Sequence, residues 1–113
     1  MKRLPPSQRE KQRYLGFRIH SEDDLEIGDI VEAVWSSVLR YMGTKGAGES
    51  NFWVIGNKFD EESQEGVIRV RRDYVEDVRA ALVTQKHLSG TDGFIEITGV
   101  SGSMKSLGSR RKD

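Results

Sequence analysis

The stretch Tyr14-Leu15-Gly16-Phe17-Arg18-Ile19 places a large apolar residue at every second position. Because successive side chains of a β-strand point to opposite faces of the sheet, this period of two predicts a strand with one buried face. The stretch Gly66-Val67-Ile68-Arg69-Val70-Arg71-Arg72 alternates in the same way and predicts a second strand of this kind.

The sequence between these strands predicts a helix followed by the first strand of a hairpin. From Ile27 to Met42, apolar residues recur at spacings of three and four, which predicts a helix of about four turns. Gly43 is expected to end it, and residues 43–50 are expected to form a polar, glycine-rich loop. Residues 52–59 are rich in aromatic and β-branched residues, and a turn at 60–65 would join them to the alternating strand.

A second helix and a last strand complete the pattern. Asp73 followed by Glu76 resembles a capping box, and Gly90 is expected just past the end of the helix. The predicted buried stripe of this helix is Val75, Val78, Ala81 and Leu82. Phe94 to Thr98 is the last predicted strand. The order β-α-β-β-α-β predicts an α+β, ferredoxin-like (RRM-like) two-layer sandwich with a four-stranded antiparallel sheet and both helices on one face.

The totals indicate one domain in a reducing compartment. A chain of 113 residues is too short for two independent cores, so we expect one domain over 1–113, with a basic N-terminal arm (1–11), the sandwich (12–103) and a basic C-terminal tail (104–113). The absence of cysteine excludes disulfides, thiolate zinc sites and cysteine nucleophiles. No apolar run is long enough to span a bilayer or to form a signal peptide, so we expect a cytoplasmic protein without membrane contact.

The formal net charge of zero conceals a segregation of charge. Residues 1–20 hold six Lys/Arg and one acid, residues 67–72 hold three arginines and no acid, and residues 21–66 hold eleven acids and three bases. Local clusters of positive charge attract phosphates even where the total is neutral. The distribution therefore points to a polyanion as the partner.

Alternation along the strands predicts which residues face away from the helices. This open face, expected to meet RNA or a protein partner, comprises Tyr14, Gly16, Arg18, Val67, Arg69 and Arg71, with Phe94 and Thr98 from the last strand. Arginines beside aromatic rings suit nucleic acid, since guanidinium groups pair with phosphate and rings stack on bases. The alternative is a solvated face with scattered charge. The 66–72 strand lacks the paired aromatics of an RNA-recognition motif, so backbone and shape contacts are expected.

The chain contains no constellation typical of catalysis. His20 and His87 are isolated in the sequence, and the acids of the 60–65 turn lack the spacing of a calcium loop. We therefore expect no catalytic residue, no metal site and no cofactor bound by the protein itself.

Motifs along most of the chain resemble those of one family. Leu4-Pro5-Pro6, the basic Arg9…Lys11…Arg13, the Gly66–Arg71 strand and the closing Gly99-Val100-Ser101-Gly102-Ser103 are similar, in order and spacing, to the archaeal ribonuclease P protein component 2 family.

This resemblance implies a subunit of the ribonucleoprotein that removes 5′ leaders from precursor tRNA. It implies that the ribonuclease P RNA supplies catalysis and uses Mg²⁺, and that the chain pairs with protein component 3, two copies of each. The alternative class is a protein-only ferredoxin-like module that senses a ligand or acts as a scaffold. The predicted RNA-binding cations are Arg3, Arg9, Lys11, Arg13, Arg18, Arg69, Arg71, Arg72, Lys105, Arg110, Arg111 and Lys112.

Overall fold

A computed structural model describes residues 11–103. Apart from Lys11, the predicted N-terminal arm lies outside the described residues, as does the predicted C-terminal tail. The elements are β1 (Gln12–Ser21), α1 (Ile27–Ser50), β2 (Trp53–Val54), β3 (Glu65–Arg71), α2 (Val75–Val83), β4 (His87–Leu88) and β5 (Thr91–Ser101). Two short 3-10 turns, Gly56–Lys58 and Arg72–Tyr74, follow β2 and β3.

The five strands form one antiparallel sheet in the order β2-β3-β1-β5-β4. In the central strand β1, Leu15 lies opposite Ile68 of β3 and opposite Val100 of β5. The α+β class is therefore confirmed, and the first strand lies beside the 66–72 strand. The predicted number of four strands is wrong by one, because β4 and β5 form an additional short hairpin.

That hairpin also corrects the predicted role of Gly90. The helix α2 ends at Val83, and Gly90 lies with Ser89 in the two-residue turn between β4 and β5. Both turn residues have positive φ, 47° at Ser89 and 86° at Gly90. The favoured two-residue hairpin turn of the mirror-image type requires this backbone at both positions, and glycine adopts it without steric cost.

The apolar stripes predicted from the sequence meet in one core. Leu15, Phe17 and Ile19 of β1 pack with Ile68 and Val70 of β3 against the helices. The helices contribute Ile30, Val34, Val38, Val75, Val78, Ala81 and Leu82. Both helices therefore cover the same face of the sheet, as the alternation predicted, and the opposite face has no helix over it. Neither helix in residues 11–103 combines the length and apolar character needed to cross a bilayer.

Helix α1 is longer than predicted. Gly43 does interrupt the helical geometry, with φ 77° and ψ 172°, but the chain resumes a helix and continues to Ser50. The predicted loop over 43–50 is wrong, because Ala47 and Ser50 are buried and hold this last part of the helix on the domain. A Cβ at Gly46 would lie 3.0 Å from the Cβ of Met42, so a larger residue there would require Met42 to shift slightly.

Two further local predictions are wrong. Regular strand pairing over 52–59 stops at Val54, and the chain then enters the 3-10 turn Gly56–Lys58. Asp73 does not cap α2, because it lies within the 3-10 turn that precedes the helix. The turn between Asp60 and Glu65 is confirmed, with the two residues bonded to each other through their backbones.

Candidate nucleic-acid interface

Four side chains form a row across the open face of the sheet. Trp53 of β2 lies opposite Arg69 of β3, Arg69 lies opposite Tyr14 of β1, and Tyr14 lies opposite Ser101 of β5. Side chains directly opposite each other in antiparallel strands have Cβ atoms about 4.5–5.5 Å apart. The guanidinium stem of Arg69 is thus held between two aromatic residues, and we call Trp53, Arg69 and Tyr14 the aromatic–arginine row.

A cleft of about 700 Å³ opens beside this row at the edge of the sheet. Its lining residues are Tyr14, Trp53, Ile55, Gly56, Asn57, Lys58 and Arg69, and we call it the Trp53 cleft. Two of these are cations, and none of the described lining residues is acidic. The Nε atom of Arg69 is buried and has no hydrogen-bond partner within residues 11–103. The cleft therefore combines an exposed ring with positive charge.

Arg71 extends the positive charge along β3 beyond the row. Its side chain is exposed and lines two smaller clefts, one with Lys11 and one with Tyr74 and the acids Glu49 and Asp73. The hydroxyl of Tyr74 donates to Oε1 of Glu49 over 2.9 Å, and this hydrogen bond to a carboxylate raises the pKa of the Tyr74 phenol. Neither Arg69 nor Arg71 has an ion-pair partner among the described residues.

The other end of the open face differs from the sequence expectation, because acids neutralise it. Nε of Arg18 donates to Oε2 of Glu65 over 2.8 Å, and Nη2 of Arg18 contacts the same oxygen. His20 contacts Oε1 of Glu96 through Nε2 at 2.7 Å. The imidazole also stacks on the exposed ring of Phe94, with 4.7 Å between ring centroids. The predicted run of positive charge is thus limited to the end that holds Arg69 and Arg71.

Two residues predicted for the open face are buried. Gly16 and Val67 lie opposite each other at the centre of the sheet, and Val67 is only 3% exposed. Val67 is outside the core under the helices; its carbonyl oxygen accepts from the N–H of Ile55, which places Ile55 beside it at the edge of the sheet. Thr98 is half-buried beside a β-bulge where β5 passes Gly16, and its hydroxyl lacks a partner in the described residues.

The remaining predicted cations are dispersed. Arg13 lies opposite the buried Val70, on the helix side of the sheet, and its Nη1 donates to the carbonyl oxygen of Gln12 over 2.8 Å. Arg72 follows β3, with Nε 3.9 Å from Asp73. Arg3, Arg9, Lys105, Arg110, Arg111 and Lys112 lie outside the described residues. The structure therefore brings Arg69 and Arg71 together, with Lys11 beside Arg71, and it does not add Arg13 or Arg18 to them.

Sequence reasoning missed Trp53, Asn57 and Lys58. The aromatic and β-branched content of 52–59 indicated a strand, which concealed that only Trp53 and Val54 pair with β3 and that the following turn forms one wall of a cleft. The available signal was Gly56-Asn57, a dipeptide of strong turn formers inside the predicted strand. Within residues 11–103, no three His, Asp or Glu side chains are grouped so that they could hold a metal ion.

Comparison with known proteins identifies the family. The model of the Rpp14/Pop5 family matches residues 13–110. The chain is 40% identical over 106 residues to ribonuclease P protein component 2 of Pyrococcus furiosus, covering 94% of this chain and 87% of the relative. It is 33% identical over 105 residues to the protein of the same name from Methanocaldococcus jannaschii, with 93% and 75% covered.

A solved structure shares the fold. A chain in the cryo-EM structure of yeast ribonuclease MRP superposes with a TM-score of 0.65 at 14% identity, over 91% of this chain and 92% of that one. This likeness bears on the architecture, whereas the sequence matches decide the family. The chain belongs to the Rpp14/Pop5 family.

Proposed function

We propose that the chain is a non-catalytic protein subunit of ribonuclease P that binds and supports the catalytic RNA. The observation that supports this most directly is identity of 40% to a ribonuclease P protein component 2 over 94% of the chain. Family membership favours this role over a protein-only sensing or scaffold module, which would also leave the segregated arginines unexplained.

Arg69 and Arg71 supply the physical basis for RNA binding. Two guanidinium groups without ion-pair partners in residues 11–103 lie two residues apart on β3, and guanidinium groups pair strongly with phosphate. Neutralising phosphates releases condensed counterions and lowers the repulsion between RNA helices packed side by side. A subunit of this kind lowers the Mg²⁺ concentration that the RNA needs, while the RNA provides the catalytic centre that removes the 5′ leader of precursor tRNA.

The protein partner in this proposal is ribonuclease P component 3, with two copies of each chain, in the cytoplasm. Helix α1 supports a protein contact, because Trp35 and Leu39 are exposed on it. Trp35 and Leu39 are four residues apart and therefore lie on one face of the helix. An exposed apolar patch on a small domain is typical of a surface that a partner covers.

Reconstitution tests the proposal. Ribonuclease P RNA and the other protein subunits are assembled with and without this chain, and release of the 5′ leader is followed over a Mg²⁺ series. We expect the chain to lower the Mg²⁺ midpoint, and we expect the chain alone to release no leader. An unchanged midpoint, or a pull-down from native extract that enriches no single structured RNA, would contradict the assignment.

The partner and the copy number need a separate measurement. Component 3 is co-purified with the chain and the mass of the complex is determined by sedimentation. A mass that corresponds to two copies of each is expected, whereas the absence of a complex would remove component 3 as the direct partner.

A further inference from the structure

We propose that the Trp53 cleft binds a single unpaired nucleotide, with its base stacked on Trp53 and its phosphate held by Arg69 and Lys58. The proposal rests on the proposed function in one respect, which is that the bound polyanion is RNA. It goes further by replacing general backbone contact with a defined site for one nucleotide.

Trp53 has the properties of a stacking platform. It lies in the two-residue edge strand β2, and 54% of its surface is exposed. The other tryptophan, Trp35, already packs its ring on Phe52 at a centroid distance of 4.4 Å, whereas no aromatic ring of residues 11–103 stacks on Trp53. A large half-exposed ring at a sheet edge has a free face that a base can cover.

The charge of the cleft selects a phosphate-bearing ligand. Arg69 lies between Tyr14 and Trp53 in the register of the sheet, so its positive charge is next to the exposed ring of Trp53. Lys58 adds a second positive charge to the lining of the same cleft. A phosphate group in the cleft would be attracted by both cations.

Phe94, the second exposed aromatic residue on the same face, lacks both the uncovered ring and the positive surroundings of Trp53. The ring of Phe94 is exposed to 51%, but the imidazole of His20 already covers one side of it and Glu96 is bonded to that imidazole. A carboxylate beside the ring repels a phosphate. Of the two exposed aromatic positions on the sheet, only the one at Trp53 combines a free ring with positive charge.

The shape of the cleft favours an unpaired nucleotide over a duplex. Its volume of about 700 Å³ falls within the range of about 300–1,000 Å³ found for small-ligand sites. Bases inside an RNA helix are stacked and paired, so only a base turned out of a loop, bulge or single strand can cover a protein ring. Asn57 in the same wall offers an amide with both donor and acceptor atoms for the edge of such a base.

Intrinsic fluorescence of the full chain provides the test. The sequence contains two tryptophans, so replacing Trp35 by Phe leaves Trp53 as the single tryptophan of the variant. This protein is titrated with a single-stranded pentauridylate and with a short blunt RNA hairpin that has no unpaired overhang. Stacking on Trp53 predicts saturable quenching by the pentauridylate and a much weaker response to the duplex stem.

Variants then assign the binding to the cleft. From the measured worth of base–aromatic stacking, about 1–3 kcal/mol, Trp53→Ala is expected to weaken pentauridylate binding about 5- to 150-fold, as followed by anisotropy of a labelled oligonucleotide. Trp53→Phe keeps a ring and is expected to retain most of the affinity. Arg69→Gln is expected to weaken binding and its salt dependence. Tyr41→Ala is the matched control, because Tyr41 is equally exposed, at 53%, but lies on the helix layer.

The outcomes are separable. Thermal melting by circular dichroism shows whether Trp53→Ala is folded, and the fluorescence titration together with Arg69→Gln decides the question if it is not. Equal quenching by the single strand and the stem would overturn the proposal, as would pentauridylate affinities that folded Trp53→Ala and Arg69→Gln both leave unchanged. Loss of component 3 binding on Trp53→Ala with unchanged oligonucleotide affinity would make the cleft a protein interface. Each of these results leaves the reconstitution test of the proposed function untouched.

The assembled ribonucleoprotein identifies the source of the nucleotide. Wild-type and Trp53→Ala holoenzymes are compared on precursor tRNAs with a one-nucleotide and an eight-nucleotide leader. A rise in KM confined to the long leader assigns the nucleotide to the precursor. An equal rise in the Mg²⁺ requirement for both substrates assigns it to the ribonuclease P RNA. If neither quantity changes, the cleft has no nucleotide in the enzyme, and the proposal fails.

Discussion

Replacing Arg69 and Arg71 together by glutamine removes the two cations of the open face that have no ion-pair partner in residues 11–103. Each phosphate contact contributes about 0.7–0.9 to the slope of log affinity against log salt, so loss of two contacts should reduce the slope by about 1.4–1.8. Between 50 and 200 mM KCl the wild-type affinity should therefore fall by a factor about 7–12 larger than that of the variant.

Filter binding to ribonuclease P RNA over a series of KCl concentrations measures this slope. The matched control is Arg40→Gln with Arg79→Gln, which removes the same charge from the helix layer, where Arg40 is bonded to Gln85 and Arg79 to Glu76. The control should keep the wild-type slope. Because exposed charges contribute about 0–1 kcal/mol each to stability, both double variants should melt close to wild type. An unchanged slope in the open-face variant, or an equal decrease in the control, would refute the assignment of these arginines to RNA.

Three further predictions concern the stability and titration of the domain. Gly66→Ala would place a Cβ 2.6 Å from Cζ of the fully buried Phe17 ring. The variant should therefore destabilise the fold by about 1–3 kcal/mol and lower the melting temperature by several degrees. If the variant melts like the wild type, the Phe17 ring can move to relieve the clash. Gln64→Ala removes the side chain that bonds two buried backbone groups at 3.0 and 3.1 Å, and urea unfolding should show a loss of about 2 kcal/mol or more. Glu49→Gln should lower the pKa of Tyr74 towards its ordinary value, because the hydrogen-bonded carboxylate is the main cause of the raised pKa. Alkaline absorbance titration measures the pKa of Tyr74 when the Tyr74→Phe protein is used as the reference. An unchanged pKa would show that the Glu49 carboxylate is not the cause.

The sequence predicted the parts of the fold in which pattern and burial coincide. Leu15, Phe17 and Ile19 have a period of two, and each is buried against the helices. In such a strand a shift of one residue would expose the whole apolar set, so the pattern determines which face is inside. The same reasoning placed Arg69 and Tyr14 outside, and both lie on the open face.

The errors arose where long-range packing overrides local signals. Gly43 breaks helical geometry, but nothing near it in sequence shows that Ala47 will be buried on the domain and hold a further stretch of helix. Trp53 has the propensity of a strand residue, and only its register opposite Arg69 makes it part of a site. Alternation could have located the acid that pairs with Arg18, because Glu65 lies two residues before Val67 and therefore on the same face.

The open face has one end where the charges are paired and another where Arg69 lies without an ion-pair partner in residues 11–103, and the positions of Glu65 and Glu96 along the strands explain this difference. Glu65 and Glu96 lie beside Arg18 in the register of β3 and β5, so this end consists of bonded charges and the ring of Phe94. Arg69 and Arg71 lie four and six residues further along β3, about 13–20 Å from Glu65 at the rise of a strand, beyond a Debye length of about 8 Å at physiological salt. Glu65 and Glu96 therefore do not neutralise these arginines, and Arg69, whose cleft has no acidic lining residue among those described, can still attract RNA in a chain with no net charge. This physical separation explains why the total charge is a poor guide to the partner and why Arg18→Gln should leave the salt slope of RNA binding unchanged.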